Sequence, residues 1–459
     1  MLKFCVCYLL ALVPVVVSFL GTATHHGVHL RQHLVLQEQT AKSFTTVVKE
    51  ELLEIEYALF LRSENPITTL TWFRGDVKSA YQFLEDRLEQ ILHHNRWLGG
   101  RIIPENNKVF LTFKPEEPLN THDFLTMVDP TESPIRRRTP LDRLARDCKE
   151  LVLSNGPREP LFRVTLVPCR SSPKTHFAVL LALSHIIADG HTYYRIMSML
   201  CGNDDTTTIE PLIYERISTT ATQQAAAVGQ PNYDFFARPG PAFFINYFGG
   251  FVKSRTIGPV NQCVFALVDE GRMKNEKAQA VARSGDSVKF VSTNDVLTSW
   301  FLQTTQADIG AMAINFRNRL RGHSDRHAGN YESIIVYNPK DSASPALIRK
   351  SLDNLRRVET IQNPLPSSFD ALGLRNCIVT NWSSFAKPNI IPGCQEELHI
   401  PLYDPAPLVP SNMAALIIFR SGPKGTGVFM TGSPDALKEL GYSRQFQKRP
   451  SFLSTEPLL

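Results

Sequence analysis

In the stretch "SHIIADG", a continuous apolar run gives way to polar residues at His185, and Asp189 and Gly190 follow four and five positions on. An alcohol or amine that attacks an activated carbonyl such as a thioester must lose a proton as the new bond forms. A neutral imidazole, with a pKa near physiological pH, is the side chain best suited to take it. At the end of a buried strand its aim would be fixed. Asp189, one short turn later, need not touch a substrate. A buried aspartate requires a cation, and "INFRNRL" offers Arg317 and Arg319 at the end of another strand. The spacing therefore predicts an Asp–Arg latch holding the loop that carries the base. Gly190 is expected to permit a backbone turn that would strain a residue with a β-carbon. Alone the pattern is weak. The chain has 13 histidines, a histidine ending a strand also serves as an ordinary structural residue, and "RNRLR" also reads as a solvated basic turn.

The elements that must position these residues follow from periodicity. "ELLEIEYALFLRS" reads as a strand entering the fold. In the next segment Val77, Tyr81, Leu84, Leu88, Ile91 and Leu92 have the spacing of an amphipathic helix, ended by Gly99 and Gly100. "RII" and "NKVFLTF", joined by "ENN", predict a hairpin. "PLFRVTLVPC" alternates, whereas "HFAVLLALSHII" is apolar throughout and predicts a central strand covered on both faces. "HTYYRIMSMLC" reads as the helix after Gly190. Residues 202–256 are rich in Thr, Ala, Gln, Pro and Gly and read as a crossover linker. Within it, residues 239–254 carry Phe243, Phe244, Tyr247, Phe248 and Phe251. These suit either packing over a domain seam or contact with lipid or an acyl chain. A second half then repeats the alternation, with strands at "NQCVFALV", "IGAMAINF", "ESIIVYN", "RNCIVTNW", "MAALIIF" and "GTGVFMTG" and a capped helix at "STNDVLTSWF". The expected organisation is a half-domain over 41–201, the linker over 202–256, a second half-domain over 257–442 and an unstructured tail over 443–459.

Bulk properties narrow the function. The 459 residues are 43% hydrophobic and 20% charged, as in a globular protein, and a net charge of +5 gives no domain-wide basic stripe for nucleic acid. The basic cluster at 133–150 mixes in acids and prolines and reads as a solvated loop leading into a helix, or else as a phosphate-binding patch. The eight cysteines lack metal-ligand or redox spacing, so neither a metal site nor a disulfide framework is expected. Residues 4–20 form an apolar run interrupted by Pro14, after a single lysine and before the small residues "GTA". This reads as a targeting or anchoring segment, either cleaved or retained, and residues 1–40 are set apart from the fold. A secretory-pathway or membrane-associated protein is expected.

Six elements in order then resemble the coenzyme A-dependent acyltransferases of the H-x-x-x-D type, the chloramphenicol acetyltransferase superfamily, and most the BAHD and fungal alcohol O-acyltransferase branches. They are "LEQILHHNRWLGGRI", "SHIIADG", "STNDVLTSW", "INFRNRL" with "HAGNY", "CIVTNWSSF" and "GTGVFMTGSPDALKEL". The D-F-G-W-G segment of plant members is missing, and Ser184 stands where condensation domains have a further histidine. The resemblance implies an α/β fold of two half-domains, each a two-layer α+β sandwich, with a tunnel between them. It implies acyl transfer from acyl-CoA to a hydroxyl or amine of a small, lipophilic acceptor in secondary metabolism. No covalent acyl-enzyme and no permanent cofactor are implied, and a monomer is expected. His185 would be the base, and Asp189, Gly190, Arg317 and Arg319 its structural support. Thr380, Trp382, Ser383 and Ser384 would provide the oxyanion donors or the tunnel wall, or else ordinary strand-end packing. A condensation-type enzyme with a carrier-bound donor, and a non-catalytic module of the same fold, are the alternatives.

Overall fold

The computed structural model describes residues 46–61, 65–136, 139, 141–153, 160–202, 208–238, 245, 248–250, 252, 261–285, 287–358, 365, 374–403, 413–439 and 452–454. The apolar run at 4–20 lies outside them, as does most of the aromatic stretch at 239–254. Among the described residues no helix is long and apolar enough to cross a membrane.

The first half runs β1 (Val48–Glu51), α1 (Glu54–Leu61), β2 (Ile67–Arg74), α2 (Val77–His94), β3 (Arg101–Glu105), β4 (Lys108–Phe113), β5 (Leu125–Met127), α3 (Leu141–Asp147), β6 (Phe162–Pro168), β7 (His176–Leu183) and α4 (Gly190–Cys201). Helices α5 (Thr220–Val228) and α6 (Gln230–Ala237) lie in the stretch expected as a linker. The second half runs β8 (Gln262–Val268), α7 (Glu270–Arg283), α8 (Thr293–Thr304), β9 (Ile309–Asn315), β10 (Glu332–Tyr337), α9 (Pro345–Asn354), β11 (Asn376–Asn381), β12 (Gln395–Pro401), β13 (Met413–Arg420), β14 (Thr426–Gly432), α10 (Pro434–Glu439) and β15 (Leu453–Ser454).

The fold is α/β. Strand β7 is buried at every position because it is central in a five-stranded sheet of order β12-β2-β7-β6-β5, covered on both faces as its unbroken apolar run requires. The second half builds a seven-stranded sheet of order β10-β9-β11-β13-β14-β8-β15, and β1, β4 and β3 form a smaller one. The β3–β4 hairpin turns on Asn106 and Asn107, both at positive φ, which asparagine tolerates better than most residues. Helix α2 lays Ala80, Leu84, Leu88, Ile91 and Leu92 into the core and fastens to α4 through Arg87 Nε, which donates to the Met199 carbonyl at 2.8 Å.

Four expectations are corrected. Within the segment at 51–63, Glu54–Leu61 form helix α1 rather than a strand. Ile55, Ala58 and Leu59 are buried at helical spacing, and the Glu56 carboxylate accepts from the Leu53 N–H at 2.9 Å, which caps the first turn. Strand β12 belongs by sequence to the second half but pairs antiparallel with β2 in the first sheet, His399 opposite Thr71. Trp382, Leu398, Ile400 and Phe419 accordingly share the core of the first half. The stretch at 202–256 carries two helices and a residue of the site, Arg216. The tail is not wholly unstructured: Leu453 and Ser454 pair with Val268 and Leu267 at a sheet edge, and Phe452 is buried with its ring edge-on to Trp300.

Candidate active site

His185 follows the last buried residue of β7, and the loop from 185 to 189 is gripped from both halves. Asn330 Nδ2 donates to the His185 carbonyl at 2.9 Å and lies 3.3 Å from that of Ile186 and 3.4 Å from a Glu56 carboxylate oxygen. Three acceptors around Nδ2 fix the orientation of the amide, because its oxygen turned there would face three oxygens. Asn330 Oδ1 is therefore the atom 3.1 Å from His185 Nδ1, so Nδ1 carries a hydrogen and, in the neutral ring, Nε2 holds the lone pair. Nε2 faces Glu332, with 3.8 Å to the nearest carboxylate oxygen.

Two buried ion pairs hold this arrangement. The Asp189 carboxylate caps α4, accepting the Thr192 N–H at 2.9 Å, while its other oxygen accepts from Arg317 Nη1 at 2.6 Å and from the Tyr331 N–H at 3.0 Å. Arg317 spends its other donors on Thr192 Oγ1 and on the carbonyls of Gly329 and His327. Burial alone would push the Asp189 carboxyl up, but the Arg317 guanidinium and the Thr192 N–H outweigh it and hold the carboxyl below the usual carboxylate range. The second pair joins Arg216 to Glu56, both guanidinium contacts at 2.9 Å. Arg216 also reaches the Ile187 carbonyl at 3.1 Å, and Glu56 accepts the Asn330 N–H at 3.0 Å. Each carbonyl from 185 to 187 thus meets a side chain from elsewhere in the chain. Gly329, at φ +140, makes the crossing possible; a β-carbon there would lie 3.0 Å from the Tyr331 ring.

Of the residues singled out by sequence, His185, Asp189 and Arg317 come together, whereas Arg319 is exposed and takes no part in the latch. Gly190 has no positive φ. Its requirement is space rather than the turn expected: a β-carbon would sit 3.1 Å from Trp382 Cδ1. Trp382 is buried against Tyr194 and Tyr403. Ser383 Oγ donates to Asn381 Oδ1 at 2.7 Å, and Thr380 lies within β11 opposite Ile417. Ser384 is exposed on the wall of a cavity of 1010 Å³. That cavity lies between α4 and the second half. Arg195, Arg319, Arg349 and Lys387 are on its wall. Arg195 pairs with Glu210 and Arg349 with Asp295. His185 is not among the lining residues, but Asn315 is, and Asn315 is the cross-strand partner of Glu332. Sequence reading missed Glu56, Arg216 and Glu332, and it quoted "HAGNY" without giving Asn330 a role. Among the described residues no group of side chains could hold a metal ion.

No family model and no curated protein matches the chain by sequence. Solved structures do match by shape. F. graminearum TRI101, complexed with coenzyme A and deoxynivalenol, superposes with a TM-score of 0.53 at 14% identity, covering 88% of this chain and 99% of that one. TRI3, the trichothecene 15-O-acetyltransferase of Fusarium sporotrichioides, gives 0.55 at 13% identity, covering 88% and 95%. The first condensation domain of the CDA synthetase gives 0.54 at 13% identity, covering 87% and 93%. The fold is that of the chloramphenicol acetyltransferase-like acyltransferases and condensation domains, as the sequence resemblance implied.

Proposed function

We propose that the protein transfers an acyl group from acyl-CoA to a hydroxyl or amine of a small acceptor, with His185 as general base. The observation that carries this reading is the fixed tautomer: Asn330 holds Nδ1–H, so Nε2 is the ring atom left to take a proton. His185 takes it as the acceptor attacks the thioester and returns it to the leaving sulfur. Asp189 and Arg317 keep the loop in place without touching the reactants.

The cavity supports the choice of donor. Arg319 and Lys387 stand on its wall, and their positive charge suits the phosphates of a CoA thioester. A condensation domain shares the fold, and a carrier-bound acyl group is the second donor to be offered. With acyl-CoA, His185→Ala is expected to lower transfer by about 100- to 10,000-fold with the melting temperature retained. Near-normal turnover in that variant overturns the mechanism, and transfer from the carrier alone moves the protein to the condensation type.

A further inference from the structure

Phe290 is 57% exposed, yet its ring is held in place. The Arg349 guanidinium lies over it, 4.6 Å from the ring centroid. That guanidinium is itself fixed. Its Nε and Nη2 both donate to the Asp295 carboxylate, at 2.8 and 2.6 Å, and Nη2 also donates to Ser292 Oγ at 3.0 Å. One face of the phenyl ring therefore rests on a cation anchored in the fold, and its exposure falls on the other face and the edge. A rigid, open aromatic face is what a nucleobase stacks on. Phe290 also has a definite place relative to His185. Asn315, on the wall of the 1010 Å³ cavity, is the cross-strand partner of Glu332, which lies beside His185. From Asn315 the wall follows β9 through Ala313 to Met312, about 10 Å along the strand. There Asn294 Nδ2 meets Met312 Sδ at 3.4 Å. Ser292 and Arg349 carry the wall on, and Phe290 stands beyond them. One cleft thus has the base near one end and an open aromatic ring at the other, with Arg319 and Lys387 on its wall. An acyl-CoA has a matching order of parts: thioester, phosphates, adenine.

We infer that Phe290, backed by Arg349, is the platform on which the adenine of the acyl-CoA donor stacks. This rests on the acyl-transfer reading above and adds a binding residue to it. The contact is between ring faces and needs no hydrogen bond from the phenyl group. It is therefore lost when the ring is truncated and kept when another aromatic ring takes its place. It acts on the far end of the donor, so it holds the nucleotide without touching the reacting atoms.

Two measurements test this. The first titrates adenosine 3′,5′-bisphosphate, the nucleotide fragment of CoA, into the full chain and reads binding by calorimetry. Phe290→Ala should weaken that binding by about tenfold, and Phe290→Trp should keep it. No binding to the wild type, or equal binding to the wild type and the alanine variant, overturns the assignment. The second compares two donors in the wild type and in Phe290→Ala. The KM for acetyl-CoA should rise by about tenfold, whereas the KM for acetyl-pantetheine, which has no adenine, should not. An unchanged KM for acetyl-CoA, or an equal rise with both donors, overturns the platform while leaving acyl transfer standing. Bisphosphate binding that depends on the ring at 290, with no acyl product from either donor, counts against acyl transfer and leaves Phe290 as a nucleotide platform.

Discussion

Asn330 Oδ1 accepts from His185 Nδ1 at 3.1 Å, and the same amide donates to the backbone carbonyl of His185 at 2.9 Å. One side chain thus sets both the ring's tautomer and the position of the residue that bears it. Asn330 is in turn fixed by Glu56, which accepts its backbone N–H at 3.0 Å, and Glu56 by Arg216. The His185 ring is oriented by a chain of buried polar groups drawn from α1, the stretch before α5 and the segment before β10.

Replacing Asn330 with leucine removes the acceptor for Nδ1–H and frees the ring to turn. The expected result is a loss of about 10- to 100-fold in kcat, with the KM for the acyl donor little changed. Asn330→Asp keeps an acceptor at Nδ1 and should recover part of the loss. Steady-state kinetics on both variants decide this, and an unaltered kcat in the leucine variant removes Asn330 from the mechanism.

The latch makes a separate prediction. Asp189 and Arg317 are both almost wholly buried, so Asp189→Ala strands a guanidinium in a dry site and should cost about 3 to 5 kcal/mol. The double variant Asp189→Ala, Arg317→Met leaves no buried charge and should cost less than the two single changes summed. Urea unfolding of the four proteins measures the coupling, and strict additivity would remove the latch as an energetic unit.

This latch was legible because Asp189 lies four residues from a histidine in a recognisable pattern and Arg317 belongs to a basic cluster at a strand end. Most strands were also legible, above all β7, where a run of seven apolar residues has few other readings. Glu56 and Arg216 were not. Glu56 lies in "ELLEIEYALF", whose closely spaced apolar residues suggest a strand, and a buried glutamate there looks like an exposed one until its partner is known. Arg216 sits 160 positions away in a stretch with the composition of a linker. Strand β12 was missed for a related reason: its pairing with β2 spans more than 300 residues and leaves no local signal. Gly190 was recognised, but for the wrong cause, since the crowding comes from Trp382 in the other half.

That contact yields a test of its own. Gly190→Ala places a β-carbon 3.1 Å from Trp382 Cδ1, tighter than an ordinary carbon contact. The expected cost is about 1 to 3 kcal/mol. In a Trp382→Leu background, where the indole is gone, the same substitution should cost much less. An equal cost in both backgrounds would place the demand in the backbone rather than in the space.

Stability should fall in mild acid through His191. Burial, aided by Arg317, lowers its pKa to about 4 from 6.5. The unfolded chain therefore binds the proton first as pH falls. The stabilisation is full above about pH 6.5 and is lost progressively toward pH 4, worth about 3 kcal/mol in all. The Asp189 carboxyl, held low, adds a loss at still lower pH, as the solution passes below the ordinary aspartate range. In His191→Gln the slope of unfolding free energy between pH 4 and 6.5 should flatten, and an unchanged slope would contradict the assignment.

On the proposed acyl transfer, binding of the donor's phosphates should be separable from the chemistry. Arg319 and Lys387 lie on a wall lined also by Ser384 and Phe385, whereas His185 is not on that wall, so the two functions should respond to different substitutions. Exposed cations act largely through long-range attraction, and their removal weakens binding without altering the reacting atoms. Replacing both with alanine should raise the KM for acetyl-CoA by about tenfold at low salt and leave kcat nearly intact. Raising the ionic strength should shrink that difference, because the charges are screened within about 10 Å at 0.1 M salt. Acetyl-pantetheine, which carries the thioester without phosphates, should be used equally well by the wild type and the double variant. If the variant is impaired with acetyl-pantetheine as well, the two cations serve the structure of the cleft rather than the phosphates of the donor.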